Sequence, residues 1–137
     1  MARTVVAAAA DIPPGSRKIV TIRGREVGVF NLDGSFFALL NRCPHQGGDL
    51  CRGKLVGVVT SSEPGRFDYG RPGEMLKCPW HNWEFDIRTG QSWCDPAATK
   101  VKQYAVSVEN GAALARGPFV AATFAVSVEQ DYVVVDL

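Results

Sequence analysis

Only two histidines occur among the 137 residues, and each stands close to a cysteine. In "CPHQGG" the pair is Cys43 and His45, with one residue between them; in "CPWHNWEFD" it is Cys78 and His81, with two residues between them. Two thiolates and two imidazoles make a complete set of four metal donors. A tight turn lets both donors of a pair face one centre, and Pro44 and Pro79 stiffen the two turns at the same place, directly after the cysteine. Gly47 and Gly48 let the backbone pass close to a bulky inorganic centre and offer it amide groups.

Two centres suit this donor set. A single zinc ion would take all four donors in a tetrahedron, but structural zinc sites more often combine a Cys pair with a His pair than two mixed pairs. A two-iron, two-sulfur cluster with two cysteines on one iron and two histidines on the other lets each loop give one donor to each iron. The mixed pairs point to the cluster. Cys51 and Cys94 have no histidine beside them and read as buried thiols, not ligands. Trp80, Trp83 and Trp93 read as packing around the loops rather than as electron carriers.

The elements that must position these loops read as strands. "IPPGSRK", "VTIRGREVGVF", "NLDG" and "SFFALL" alternate short apolar runs with turn signals, the pattern of antiparallel strands joined by hairpins. "EFDIRTGQSW" predicts a further hairpin around Arg88 to Gly90. "VKQYAVSVENG" predicts a strand whose inward face carries Val101, Tyr104, Val106 and Val108. "AVSVE" occurs at 105–109 and again at 125–129, too short a repeat for a duplicated domain, and reads as two similar strands, the second running on into "QDYVVVDL". Between them, Ala112 to Arg116 suits a short helical turn ended by Gly117 and Pro118. No segment has a sustained helical period, so the expected fold is all-β, a sandwich or small barrel.

Composition narrows the function. The chain has room for one globular domain, 1–137, and for no second catalytic one. A net charge of +1, with basic and acidic residues intermixed, gives no footprint for nucleic acid or an anionic membrane. Arg52, Lys54, Arg66, Arg71 and Lys77 interleave with Asp49, Glu63, Asp68 and Glu74 and read as a solvated face. The apolar run from Val5 to Ala10 is too short for a signal-peptide core or a membrane span, so a cytoplasmic location is expected. In that reducing compartment cysteines serve as metal ligands or buried thiols more readily than as disulfides.

"CPHQGG" together with "CPWHNWEFD" resembles the two cluster loops of Rieske iron–sulfur domains, and "DIPPGSRKIVTIRGREVGVFNLDGSFFALLNRCPH" and "FDIRTGQSWCDP" resemble the strands leading into and out of them. The resemblance covers most of residues 4–109. It implies a Rieske-type antiparallel β-sandwich with a small cluster-binding subdomain, and one Rieske [2Fe-2S] cluster per chain. The implied ligands are Cys43, His45, Cys78 and His81, on loops at about 42–51 and 77–86, with an inserted hairpin at about 53–76 turning near Glu63 to Gly65. Respiratory Rieske proteins carry an additional cysteine in each loop; Gly48 and Trp80 stand at those positions here, so that disulfide is absent. Trp83 and Phe85 stand where those proteins have a serine and a tyrosine that hydrogen-bond the cluster, which implies a potential near the low end of the Rieske range, roughly −150 mV. Asn82 replaces the family's usual glycine, a substitution suited to a left-handed position.

With both histidines committed to the cluster, none remains for the mononuclear iron of a terminal oxygenase. No Gly-rich dinucleotide fingerprint is present either. The implied role is a non-catalytic one-electron carrier, a ferredoxin component passing electrons from a flavin-dependent reductase to a terminal oxygenase through transient contacts. Two alternatives are the small subunit of an assimilatory nitrite reductase, and a binding module holding zinc or a structural cluster.

Overall fold

The computed structural model describes residues 3–44, 48–60, 64–65, 68–79, 83–92, 99–112 and 129–136, with backbone alone at 58–60 and 68–72. The strands in chain order are β1 (Arg3–Ala8), β2 (Arg17–Ile22), β3 (Arg25–Leu32), β4 (Ser35–Leu40), β5 (Lys54–Thr60), β6 (Asp68–Lys77), β7 (Glu84–Asp86), β8 (Gln103–Asn110) and β9 (Asp131–Asp136). Two compact units result, one from residues 1–40 and 103–137 and one from residues 41–102. Among the described residues no helix is long and apolar enough to cross a membrane.

The first unit is a six-stranded sheet in the order β1-β9-β8-β4-β3-β2, antiparallel at every pairing. Val6 and Ala7 of β1, Val133 and Val135 of β9, Ile22 of β2 and Val27 and Val29 of β3 share one buried cluster, with Tyr104 and Val106 of β8 packed against it. Strands from both ends of the sheet order therefore cover the same core, as in a sheet that curls over itself. Fully burying a residue such as Val29 contributes about 1.5–3 kcal/mol.

The hairpins differ in detail from the sequence pattern. "VTIRGREVGVF" is two strands, because Arg23 (φ 51°) and Gly24 (φ 79°) turn the chain between β2 and β3. In "NLDG" only Asp33 and Gly34 turn, both at positive φ, which is the backbone a tight hairpin of this kind demands. Asn31 belongs to β3 and is buried; its Nδ2 donates to the Ile12 carbonyl at 2.7 Å and its Oδ1 accepts from the Gly34 amide at 2.7 Å. One side chain thus ties the β3–β4 turn to the segment before β2.

Val108 is not inward-facing; it is 45% exposed. Among the described residues β4 pairs with β8 only at Tyr104 and Gln103, and the far half of β8 pairs with β9 alone, which leaves Val108 beyond the reach of β4. Val101 is buried but precedes β8, its amide donating to the Gly90 carbonyl at 2.8 Å. Gly111 and Ala112 are helical; the remainder of the expected turn to Arg116 lies outside the described residues, as does the second "AVSVE" except Glu129.

In the second unit β5, β6 and β7 form a three-stranded antiparallel sheet. Gly65, in the turn between β5 and β6, has φ 81°; Glu63 lies outside the described residues. Leu50, Cys51, Met75, Leu76, Phe85 and Ile87 are fully buried. The hairpin after β7 forms as expected: Phe85 bridges Ser92, Gly90 takes φ 75°, and the Asp86 amide donates to the Gln91 carbonyl at 2.9 Å. Arg88 Nε donates to Glu74 Oε1 at 3.0 Å, tying that turn to β6.

Candidate metal centre

Both candidate loops begin on a buried cysteine and close in the same way. The Cys43 amide donates to the Gly48 carbonyl at 2.9 Å, and the Cys78 amide donates to the Trp83 carbonyl at 2.7 Å. Each bond spans five residues forward, so residues 43–48 and 78–83 form loops of equal span. Cys43 is 1% exposed and Cys78 0%, and neither is in a disulfide. The prolines that follow, Pro44 and Pro79, are exposed. A cysteine side chain is held inward at the first position of each loop while the next residue reaches the surface. Sequence numbering puts His45 and His81 within these spans. Both lie outside the described residues, as do Gln46, Gly47, Trp80, Asn82, Trp93 and Cys94.

The loops are anchored differently behind the thiols. After the first, a 3-10 turn at Leu50–Arg52 packs Leu50 and Cys51 inward. The Cys51 amide donates to Oδ1 of the buried Asn41 at 2.8 Å, and the Gly48 carbonyl accepts the Leu50 amide at 2.8 Å as well as that of Cys43. Gly48 thus serves the loop through its carbonyl. The second loop leaves β6 at Lys77 and returns to β7 at Glu84, directly opposite in the ladder. Trp83 and Phe85 stack there with ring centroids 6.5 Å apart, consistent with packing, a contact worth about 0.5–1.5 kcal/mol beyond area burial.

Gly53 joins the two anchors. A Cβ on it would overlap the Lys77 carbonyl oxygen and stand 2.9 Å from the carbonyl carbon, one residue before Cys78. The chain leaving the first loop therefore lies directly against the strand entering the second. Neither Gly53 nor Asn41 stands out in the sequence. Gly53 has ordinary extended dihedrals, φ −71° and ψ 177°, so its requirement comes from the crossing and not from a turn.

The donor chemistry fits an iron–sulfur centre: two reduced, buried cysteines, each heading a closed loop in which the sequence supplies a histidine. Among the described residues no three His, Cys, Asp or Glu side chains gather as a metal site, so Cys43 and Cys78 are the described half of the expected set. Cys51 is buried, as expected of a packing thiol.

Comparison with known proteins places the chain in a family. The family model of the Rieske [2Fe-2S] domain matches residues 2–105. The ferredoxin component of the naphthalene 1,2-dioxygenase/salicylate 5-hydroxylase systems of Ralstonia sp is 29% identical over 100 residues, covering 73% of this chain and 81% of that protein. The ferredoxin of carbazole 1,9a-dioxygenase from Nocardioides aromaticivorans IC177 superposes with a TM-score of 0.58 at 27% identity, over 80% of this chain and 91% of its own. A structure named for the small subunit of an NADPH nitrite reductase superposes with a TM-score of 0.60 over the whole of both chains, but at 17% identity, a likeness of fold alone.

Proposed function

The chain belongs to the Rieske [2Fe-2S] domain family, and from this premise we propose that it is a ferredoxin that carries single electrons to a terminal oxygenase from a flavin-dependent reductase. The observation that carries the reading is the matched pair of loops, each opened by a buried cysteine and closed by an amide-to-carbonyl bond five residues on. Bound there, a Rieske-type cluster takes up one electron and releases it, with two cysteines on one iron and two histidines on the other.

The chain's own residues would serve that cofactor in distinct ways. Cys43 and Cys78 supply the thiolates, and His45 and His81 the imidazoles. The loop-closing bonds hold each cysteine at the head of its loop, and the Gly53 crossing sets the chain leaving the first loop against the strand entering the second. Phe85, fully buried and stacked on Trp83, gives the second loop an apolar wall where a hydroxyl donor would stabilise added electron density. That wall supports a potential near the low end of the Rieske range, roughly −150 mV. Residues 1–137 then act as one functional domain with loops at 42–51 and 77–86, in the cytoplasm, where the thiols stay reduced.

The names of the relatives support the oxygenase assignment, since the naphthalene- and carbazole-system proteins are ferredoxins of dioxygenases. The nitrite reductase reading is second, resting on fold alone; co-purification of a siroheme-bearing large subunit would bring it forward. The test is a redox titration of the loaded protein followed by EPR. One reversible one-electron wave near about −150 mV supports the carrier role. An inert centre over the whole Rieske range leaves a structural or binding module.

A further inference from the structure

We propose that the cleft beside Cys78 is a docking site for carboxylates on an acidic protein partner in electron transfer. The cleft, about 550 Å³, is lined by Arg52, Gly53, Lys54, Lys77, Cys78 and Pro79. Three of these six described lining residues are cations and none is a carboxylate. Arg52 and Lys54 are exposed and Lys77 half-buried, so the charges line an accessible surface.

The arrangement is not one that strand stability selects. Lys54 and Lys77 are direct cross-strand partners in the β5–β6 ladder, and like charges placed directly opposite destabilise a sheet. Glu84 follows as the partner of Lys77 in β7, yet among the described residues no ion pair joins it to Lys77 or joins any carboxylate to Arg52 or Lys54. Elsewhere in the same unit Arg88 is paired with Glu74 at 3.0 Å. Among the described residues, three cations with no ion pair to a carboxylate thus gather on a chain whose net charge is only +1. Gly53, which also lines the cleft, presents no side chain and has no room for one.

Position gives the cleft its role, which rests on the electron-carrier reading above. Its wall includes Cys78 and the exposed Pro79 at the head of the second loop, so carboxylates seated on the three cations would hold a partner against that loop. Complementary charge of this kind raises the encounter rate and orients a transient complex, and salt weakens it.

The test uses cluster-loaded protein, an Arg52→Gln/Lys54→Gln variant and labelled poly-L-glutamate as the acidic probe. Fluorescence anisotropy reads binding, and stopped-flow reads oxidation of the dithionite-reduced protein by ferricyanide with and without the polymer. The expected result is salt-sensitive polymer binding that slows oxidation, with affinity falling roughly tenfold in the variant, within the range of electrostatic steering. Equal polymer affinity in the two proteins, or binding that leaves oxidation unchanged, overturns the docking site. The reduced-state EPR signal separates the two claims: if it is present while polymer affinity is unchanged, the docking site alone fails. If it is absent from correctly assembled protein, the carrier reading fails and the docking role with it.

Discussion

Replacing Gly53 with alanine isolates the contact between the two loops. Because Gly53 has φ −71° and ψ 177°, alanine meets no dihedral penalty there and, by restricting the unfolded chain, would by itself stabilise the fold by about 0.4–1 kcal/mol. Sterics act in the opposite direction. The new methyl would overlap the Lys77 carbonyl oxygen, with Leu50 O also at 3.0 Å. Both obstacles are backbone, so neither can move by rotating a side chain. Overpacking of this kind costs about 1–3 kcal/mol, and a contact on two backbone segments belongs at the upper end. The net is a loss of about 2 kcal/mol. For 137 residues, at about 2.1 cal/mol/K each, the unfolding entropy is about 290 cal/mol/K, so the midpoint should fall by about 7 °C. Because Lys77 precedes Cys78, iron content should fall too. The assays are circular-dichroism melting and iron analysis of Gly53→Ala beside the parent. A variant that melts within a degree of the parent and carries the same iron would show that this crossing does not set the loops.

Other substitutions separate the two units and the two kinds of cysteine. Asn31→Ala removes both ties to Ile12 and Gly34 and should cost about 2 kcal/mol; a thermal melt should show it, while the EPR spectrum of the loaded protein stays as in the parent. Asn41→Ala removes the acceptor of the Cys51 amide, a loss of about 1–3 kcal/mol, and here iron retention during dialysis against a chelator should fall along with the melting temperature. Cys51→Ala should load iron normally, whereas Cys43→Ala or Cys78→Ala should abolish the cluster's visible absorption. Normal absorption in both ligand variants would remove the proposed site.

The two cysteine-headed turns were legible in the sequence because their signal is local: cysteine and proline adjoin in each, and closing the loop needs only backbone groups. Turn chemistry was legible in part. Asp33-Gly34 is a standard hairpin signal, while Arg23-Gly24 hides its first left-handed residue behind an arginine. Alternation marked Tyr104 and Val106 correctly but not Val108, because burial at that end of β8 depends on how far β4 extends beside it. The requirement at Gly53 was hidden, since an ordinary φ leaves no trace in local sequence and the crowding comes from residue 77. Lys54 and Lys77 likewise look like scattered surface charge until the β5–β6 register places them opposite one another.

The central claim is tested most directly by purifying the protein anaerobically without added metal, assaying iron, acid-labile sulfide and zinc, and recording EPR before and after dithionite. The account predicts two irons and two sulfides per chain and a rhombic signal of low average g that appears only on reduction. One zinc ion, no sulfide and a colourless protein would contradict it.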